Sequence, residues 1–231
     1  MTERFKRINA LVGDVEMEKL RNATVMVVGC GAVGSFAIEG LARSGVGHIV
    51  VVDFDVVEES NINRQIFALS STIGKPKVDV AASRIRDINP DADVIAINAF
   101  FDADWAADIK PDFVIDAIDT VDSKIALYKW CESHHIPFAA SMGAALKTDP
   151  TQIHVGRILK TSICPLAARV RKIVREQGLP NFPVVYSTEE PKKSAASKGR
   201  VFGSIVTVTG SFGLRLADIA IKSIICTDGM I

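Results

Sequence analysis

The hexapeptide Gly29-Cys30-Gly31-Ala32-Val33-Gly34 has the GxGxxG spacing of a phosphate-binding turn. Glycine allows the tight turn and the close approach of backbone to phosphate oxygens, and a helix opening on such a turn adds unpaired N–H groups and a favourable dipole. Asp53 follows at the interval, roughly 20 residues, at which a carboxylate accepts hydrogen bonds from ribose hydroxyls. The turn alone points to a nucleotide, a nicotinamide dinucleotide being the common case.

Such residues meet only if strands and helices alternate around them. Thr24 to Val28 is a β-branched run that reads as a buried strand, and Gly31 to Arg43 has helical spacing at Val33, Phe36, Ala37 and Leu41 before Gly45 and Gly47. His48 to Asp53 is the next strand. A helix from Pro76 to Ile88, a turn at Asn89-Pro90 and a strand from Asp93 to Asn98 complete a third cycle. A strand from Phe113 to Ala117, a helix from Ser123 to His134 and a strand from Phe138 to Ser141 follow. This alternation predicts a Rossmann-like α/β fold, a doubly wound and mainly parallel sheet with ligands at the carboxyl ends of its strands. Beyond Asp149 the pattern predicts a C-terminal strand and helix extension: a strand within TQIHVGRI, a helix from Leu166 to Glu176, and a closing helix from Ser204 to Ile225. Residues 180–200 carry loop signals and are expected to be mobile. Arg215, Asp218 and Lys222 in the closing helix favour a core or interface role over membrane insertion.

Ser60-Asn61-Ile62-Asn63-Arg64-Gln65, Gly74-Lys75-Pro76-Lys77, Asn89-Pro90 and Asp116-Ala117-Ile118-Asp119 occur in order between residues 4 and 142. In that order they resemble the ATP-binding signature of the ubiquitin-activating-enzyme-like HesA/MoeB/ThiF superfamily of adenylyltransferases, which nicotinamide dehydrogenases do not share. The resemblance implies ATP and Mg²⁺ as cofactors, with Gly29, Gly31, Ala32, Gly34, Asp53, Asn61, Arg64, Lys77 and Asp119 as nucleotide contacts and Asp119 as metal ligand. It implies catalytic roles for Arg64, Lys77, Asp119 and Arg7, the last reaching the triphosphate from a partner subunit, hence a homodimer.

Within the superfamily, Asp149–Ile153 (DPTQI), Pro165–Lys172, Val184–Pro191 (VVYSTEEP) and Gly203–Leu214 are similar to the tRNA threonylcarbamoyladenosine dehydratases (TcdA/CsdL). That branch implies adenylation of a threonyl carboxylate on tRNA followed by ring closure. The alternative is activation of the C-terminal glycine of a ubiquitin-like sulfur carrier, whose activators often carry paired CxxC motifs that this chain lacks. A monovalent cation and a sulfur-transfer protein partner stay open. Cys164 stands where an acidic residue is expected in related dehydratases.

With 231 residues, 48% of them hydrophobic, the chain has room for one domain with a sizeable core, a nucleotide-binding part at about 20–142 and a substrate-facing extension at about 150–231. Lys+Arg and Asp+Glu are both 27. The balance hides a basic stretch from Arg157 to Arg200, ten cations against three acids, for which a solvated loop and a polyanion groove compete. The N-terminus reads as no secretory signal, which places the chain in the cytoplasm. Four cysteines without a CxxC pair argue against a disulfide framework or a zinc site. His134, His135, Trp105 and Trp130 read as helix-end and packing residues.

Overall fold

A computed structural model describes residues 3–192 and 202–226. Seven strands form one sheet in the order β3-β2-β1-β4-β5-β7-β6, with β1 Thr24–Val28, β2 His48–Asp53, β3 Asp93–Asn98, β4 Phe113–Asp116, β5 Phe138–Ser141, β6 Ile153–Arg157 and β7 Pro183–Ser187. All neighbours run parallel except β6, which pairs antiparallel with β7 along the edge. The chain steps outward from β1 to β3 and then returns to β4 on the other side of β1. The sheet therefore has its topological switch point between β1 and β4, where α/β sheets bind ligands.

The central strands are continuous apolar runs because both faces are covered. Val25 and Val27 of β1, Ile49 and Val51 of β2 and Ile115 of β4 face one core. Met26 and Val28, Val50 and Val52, and Val114 face the other. Helices α2 (Asp14–Asn22), α3 (Gly34–Arg43), α4 (Lys77–Ile88) and α7 (Val206–Ile225) cover the first face, and α5 (Val121–Ser133) and α6 (Pro165–Glu176) the second. Each fully buried Leu or Ile in these layers contributes about 1.5–3 kcal/mol.

Two expectations need correction. The helix after the glycine turn starts at Gly34, three residues later than its apolar spacing suggests, because Gly31–Val33 form the turn itself. Residues 180–200 are not one loop: Pro183–Ser187 form β7, an internal strand hydrogen-bonded to both β5 and β6. Proline at both ends of that stretch masked the short PVVYS run, whose β-branched residues pair on both sides; residues 193–200 lie outside the described part. The N-terminal segment carrying Arg7 is helical, α1 (Lys6–Val12), after a short 3-10 turn.

The closing helix α7 belongs to the core. A Cβ on Gly213 would lie 2.3 Å from the Val33 carbonyl oxygen, so α7 packs backbone-close against the start of α3. No helix among the described residues is long and apolar enough to cross a membrane.

Glu39 ties α3 to α4. Its carboxylate accepts from Arg43 Nε at 2.7 Å and from Arg84 Nε and Nη2 at 2.8 and 2.9 Å. Burial opposes its charge, but hydrogen bonds from Arg84 and Arg43 outweigh burial and hold the carboxyl below its usual range. A depressed folded-state pKa gives stability that is present above the unfolded value, about 4.3, and is lost as pH falls through the folded value. Glu39→Gln is therefore expected to lower stability by about 1–2 kcal/mol at pH 7. In urea unfolding the gap from the parent should close toward pH 3; a gap that is the same at both pH values would contradict this account.

Candidate nucleotide-binding crevice

The glycine turn leaves β1 at the switch point. Gly29 has φ +96°, and a Cβ there would lie 2.7 Å from the Ala117 carbonyl oxygen, so only glycine lets the turn touch the segment leaving β4. Gly29 N donates to Val52 O at 2.8 Å and Ala117 N to Val28 O at 2.9 Å, which locks both turns onto the sheet. Gly34 opens α3 so tightly that a Cβ would lie 1.7 Å from Gly29 O. Ser35 N and Ala37 N are already spent on Gly31 O and Val33 O, at 2.9 and 3.1 Å, so the dipole of α3 and the N–H groups of the turn that leads into it are what this end of the helix offers an anion. Gly31 and Ala32 form the half-exposed floor of the turn.

Asp53 closes the turn from the end of β2. Its Oδ2 accepts from Cys30 N at 2.6 Å and its Oδ1 from Asp55 N at 2.8 Å. The sequence suggested only a ribose acceptor; the structure adds a scaffolding role, and a carboxylate has lone pairs for both. Burial pushes the Cys30 thiol well up, the Asp53 charge adds to this and Lys77 opposes it, so Cys30 is an un-ionised packing group near both.

The SNINRQ segment folds as a 3-10 turn, Glu59–Asn61, against this floor. A Cβ on Gly31 would lie 3.9 Å from Gln65 Nε2. Asn61 spends its side chain on the turn: Oδ1 accepts from Glu58 N at 3.1 Å, and Nδ2 donates to Ser60 Oγ at 3.3 Å. Arg64 donates through Nη1 to Ser60 O at 2.7 Å and to Asn63 Oδ1 at 2.8 Å. Its Nε and Nη2 have no partner among the described residues, so one edge of the guanidinium is anchored and the other is available. Lys77 begins α4 and pairs with Asp55 Oδ2 at 2.7 Å. Its side chain is only 7% exposed, so the loop of Asp55 holds the ammonium in the crevice wall. Asp119 is exposed on the turn between β4 and α5.

Gly29, Gly31, Ala32, Gly34, Asp53, Asn61, Arg64, Lys77 and Asp119 are thus all carried by segments leaving the carboxyl ends of β1, β2 and β4. Arg7 is not brought there. Phe5, two residues before it, packs near Gly45 after α3, and Arg4 Nη1 donates to the Asp87 and Ile88 carbonyls at the end of α4, at 3.2 and 3.1 Å. These contacts put the segment leading into α1 beside the ends of α3 and α4, at the amino ends of β2 and β3, away from the crevice at the carboxyl ends.

Lys124 and Tyr128 had no reading from sequence, and Asp116, Glu189 and Cys164 entered it only as members of a motif or as a departure from one. Asp116 and Lys124 are fully buried and pair at 2.8 Å, with Tyr128 Oη donating to the same carboxylate oxygen at 2.5 Å. Burial and then the Asp116 charge push the Tyr128 hydroxyl well up, so it stays a donor. Removing one partner of a buried pair of this kind costs on the order of 3–5 kcal/mol. The only signal for it was Lys124 and Tyr128 four residues apart on one helix face. Glu189 clamps the loop before β6: its carboxylate accepts from Thr148 N and Asp149 N, both at 2.9 Å, and from Thr148 Oγ1 at 3.1 Å, while Lys147 Nζ donates to its carbonyl. Burial resists the Glu189 charge, yet the backbone N–H donors of Asp149 and Thr148 prevail and hold the carboxyl low. The DPTQI and VVYSTEEP segments are therefore two halves of one structural clamp. Cys164 is the buried N-cap of α6, its Sγ receiving the N–H groups of Gly143 at 3.3 Å and Ala167 at 3.5 Å.

A family model described as the ThiF family matches residues 5–230. The chain belongs to the ThiF family. This ThiF-family chain is 47% identical over 195 residues to a tRNA threonylcarbamoyladenosine dehydratase of Bacillus subtilis, covering 83% of this chain and 77% of the relative. Its fold superposes with TM-score 0.89 on the crystal structure of the E. coli tRNA N6-threonylcarbamoyladenosine dehydratase in complex with ATP, at 36% identity over 96% of this chain and 93% of that one. A molybdopterin-synthase adenylyltransferase of E. coli is 36% identical over a shorter stretch, 57% of this ThiF-family chain and 53% of the relative.

Proposed function

We propose that this chain catalyses the ATP-dependent dehydration of threonylcarbamoyladenosine in tRNA. The observation that carries the proposal is the likeness along nearly the whole chain to an ATP-complexed dehydratase, over a crevice rimmed by a glycine turn, a half-free guanidinium and a held ammonium.

The substrate's threonyl carboxylate attacks the α-phosphorus of ATP and pyrophosphate leaves. The ureido oxygen then attacks the acyl carbon, AMP departs with one carboxylate oxygen, and the ureido N–H proton is lost as the ring closes. The glycine turn and the N-terminus of α3 hold phosphate oxygens by backbone N–H groups, Arg64 takes the charge that builds on the phosphates, and Lys77 adds its ammonium from the wall. Asp53 receives the ribose hydroxyls. Positioning and charge neutralisation dominate, because the leaving groups are already good.

The residues fit Mg²⁺. Among the described residues no group of three or more His, Cys, Asp or Glu could hold a metal, whereas Asp119 offers one exposed carboxylate beside the phosphate turn, which suits an ion that takes most ligands from phosphates and water. Bound there, the ion neutralises charge on the phosphate oxygens. Arg7, carried toward the amino ends of the strands of its own protomer, would serve the crevice of a second copy, and a homodimer is part of the proposal.

The exposed side of α6 supplies the tRNA contact. Arg169, Lys172 and Arg175 are exposed on it, while Arg171 turns inward to Thr161. Because the N-cap of α6 touches Gly143 just beyond β5, this basic stripe runs down from the crevice rim. Lys193, Lys198 and Arg200 of the basic stretch lie outside the described residues. Reversing Arg169, Lys172 and Arg175 to Glu together should weaken tRNA binding and flatten its logarithmic salt dependence by about 2 units, at roughly 0.7 per phosphate contact, with ATP affinity unchanged. Unchanged tRNA affinity would remove α6 from the interface. The reaction itself is tested by AMP release from purified protein: it should require tRNA bearing threonylcarbamoyladenosine. Equal release without that tRNA, or an acyl-adenylate formed on a ubiquitin-like carrier, would overturn the assignment.

A further inference from the structure

We infer that Lys124 and Tyr128, reaching up from α5, are positioning residues that set the turn carrying Asp119 and, through it, the wall of the phosphate turn. The inference rests on the reading of Asp119 as the group that meets the metal-bound triphosphate.

The geometry runs outward from a buried centre. Lys124 Nζ donates to Asp116 Oδ2 at 2.8 Å and to the Ser141 carbonyl at 2.8 Å, so one ammonium joins the carboxyl ends of β4 and β5. Tyr128 Oη donates to the same Asp116 oxygen. Held on Oδ2, Asp116 turns its Oδ1 to accept from Ile118 N at 3.0 Å, the peptide immediately before Asp119. The intervening Ala117 carbonyl is the atom against which Gly29 is packed, 2.7 Å from where a Cβ would stand. Displacing Asp116 therefore moves two things at once, the direction of the Asp119 carboxylate and the side of the turn that cradles phosphate.

Nothing in the packing alone calls for this arrangement. The surroundings are apolar, with Val114, Leu127, Phe138 and Ala140 in the same core, and an all-hydrophobic substitute would fill the space at lower desolvation cost. What a charged centre supplies is direction: three donors aimed at one carboxylate and one strand-end carbonyl fix the exit angle of the β4 turn. Outer-shell partners of this type typically change metal affinity or activity by 10- to 100-fold when removed.

The test is calorimetric ATP binding with and without Mg²⁺, which reads the gain in ATP affinity that the ion confers. Lys124→Met should weaken ATP binding without Mg²⁺, because the wall of the phosphate turn shifts, and should in addition reduce the gain from Mg²⁺ about tenfold; Tyr128→Phe should reduce that gain by about threefold. Asp119→Asn, measured alongside, reports on the underlying reading. If Asp119→Asn removes the gain and the other two variants retain it in full, Lys124 and Tyr128 are structural only and the inference is wrong. If Asp119→Asn itself leaves the gain intact, the reading of Asp119 fails and the inference falls with it. Should Lys124→Met not fold, the isosteric Tyr128→Phe decides: native circular dichroism with a parental Mg²⁺ gain overturns the proposal, and a diminished gain sustains it.

Discussion

Arg64→Ala is expected to lower tRNA-dependent AMP release by about 10³-fold while weakening ATP binding only about tenfold. The asymmetry follows from how the guanidinium is held. Nη1 is committed to Ser60 O and Asn63 Oδ1, so the side chain is oriented before the nucleotide arrives. Under the proposed function its remaining edge would meet phosphate oxygens, which carry the most charge as the α-phosphorus is attacked. An arginine placed this way is worth about 10³-fold or more in phosphoryl transfer, whereas loss of one charge-assisted hydrogen bond to the ground state costs about 1.5 kcal/mol, close to a tenfold change in affinity. Arg64→Lys should recover little of the rate, since an ammonium lacks the fork that is anchored on one side and free on the other. Steady-state AMP release together with calorimetry checks both parts. Parental turnover in Arg64→Ala would strip Arg64 of the assigned role.

The second large effect is expected from a single methyl group. In Gly34→Ala the new carbon would stand 1.7 Å from Gly29 O, 2.8 Å from Gly29 C and 3.2 Å from the Ala117 Cβ. Optimal carbon contacts lie near 3.5–4.0 Å, so the turn must open. Opening it strains the Gly29 N to Val52 O bond and separates Gly29 from Ala117, the two contacts that shape the phosphate cradle. ATP affinity should fall by more than about 100-fold, and overpacking of about 1–3 kcal/mol should lower Tm by roughly 5 °C. Gly74→Ala is the control. It has a left-handed φ of +83° but nothing within 4 Å of a Cβ, so it should cost only backbone strain of about 1–2 kcal/mol and leave ATP affinity unaltered. Equal ATP affinity for Gly34→Ala and the parent would mean that the turn does not cradle phosphate.

The strands legible in the sequence were mainly those with both faces buried: Thr24–Val28, His48–Asp53 and Phe138–Ser141 appear with the bounds their apolar runs suggest, since uninterrupted apolar stretches between glycine or polar turns have few other uses. The edge strand Asp93–Asn98 buries only Val94, yet it too appears with its expected bounds, because its apolar and β-branched residues follow the turn at Asn89-Pro90. Strand β7 escaped because its five residues are bracketed by prolines in a polar neighbourhood. The N-terminal helices α1 and α2 carry little apolar periodicity of their own: α1 buries no residue, and α2 buries only Met17 and Leu20. Their helical state depends on packing near Gly45 and against the end of α7, where Lys19 Nζ donates to Ile225 O at 3.1 Å.

At the site, glycine spacing nominated Gly29, Gly34 and Asp53, and the resemblance of the SNINRQ, GKPK and DAID segments nominated Arg64, Lys77 and Asp119; all six lie on segments leaving the carboxyl ends of β1, β2 and β4. The sequence also settled the alternating βα architecture and the ThiF kinship, both of which are written in local patterns: periodicity, glycine spacing and short motifs. What only the tertiary structure decided is which groups constrain them. Asp53 turned out to brace the glycine turn, Asp55 to hold Lys77, Glu189 to clamp the loop at Thr148, and Lys124 with Tyr128 to fix Asp116. Arg7, which the resemblance assigns to the triphosphate of a partner subunit, came to rest toward the amino ends of the strands of its own protomer. These facts depend on contacts between residues 22 to 45 or more positions apart in most cases, formed when the sheet brings its strand ends together. Local chemistry can nominate a residue, but direction and partnership come from packing, which no short window of sequence contains.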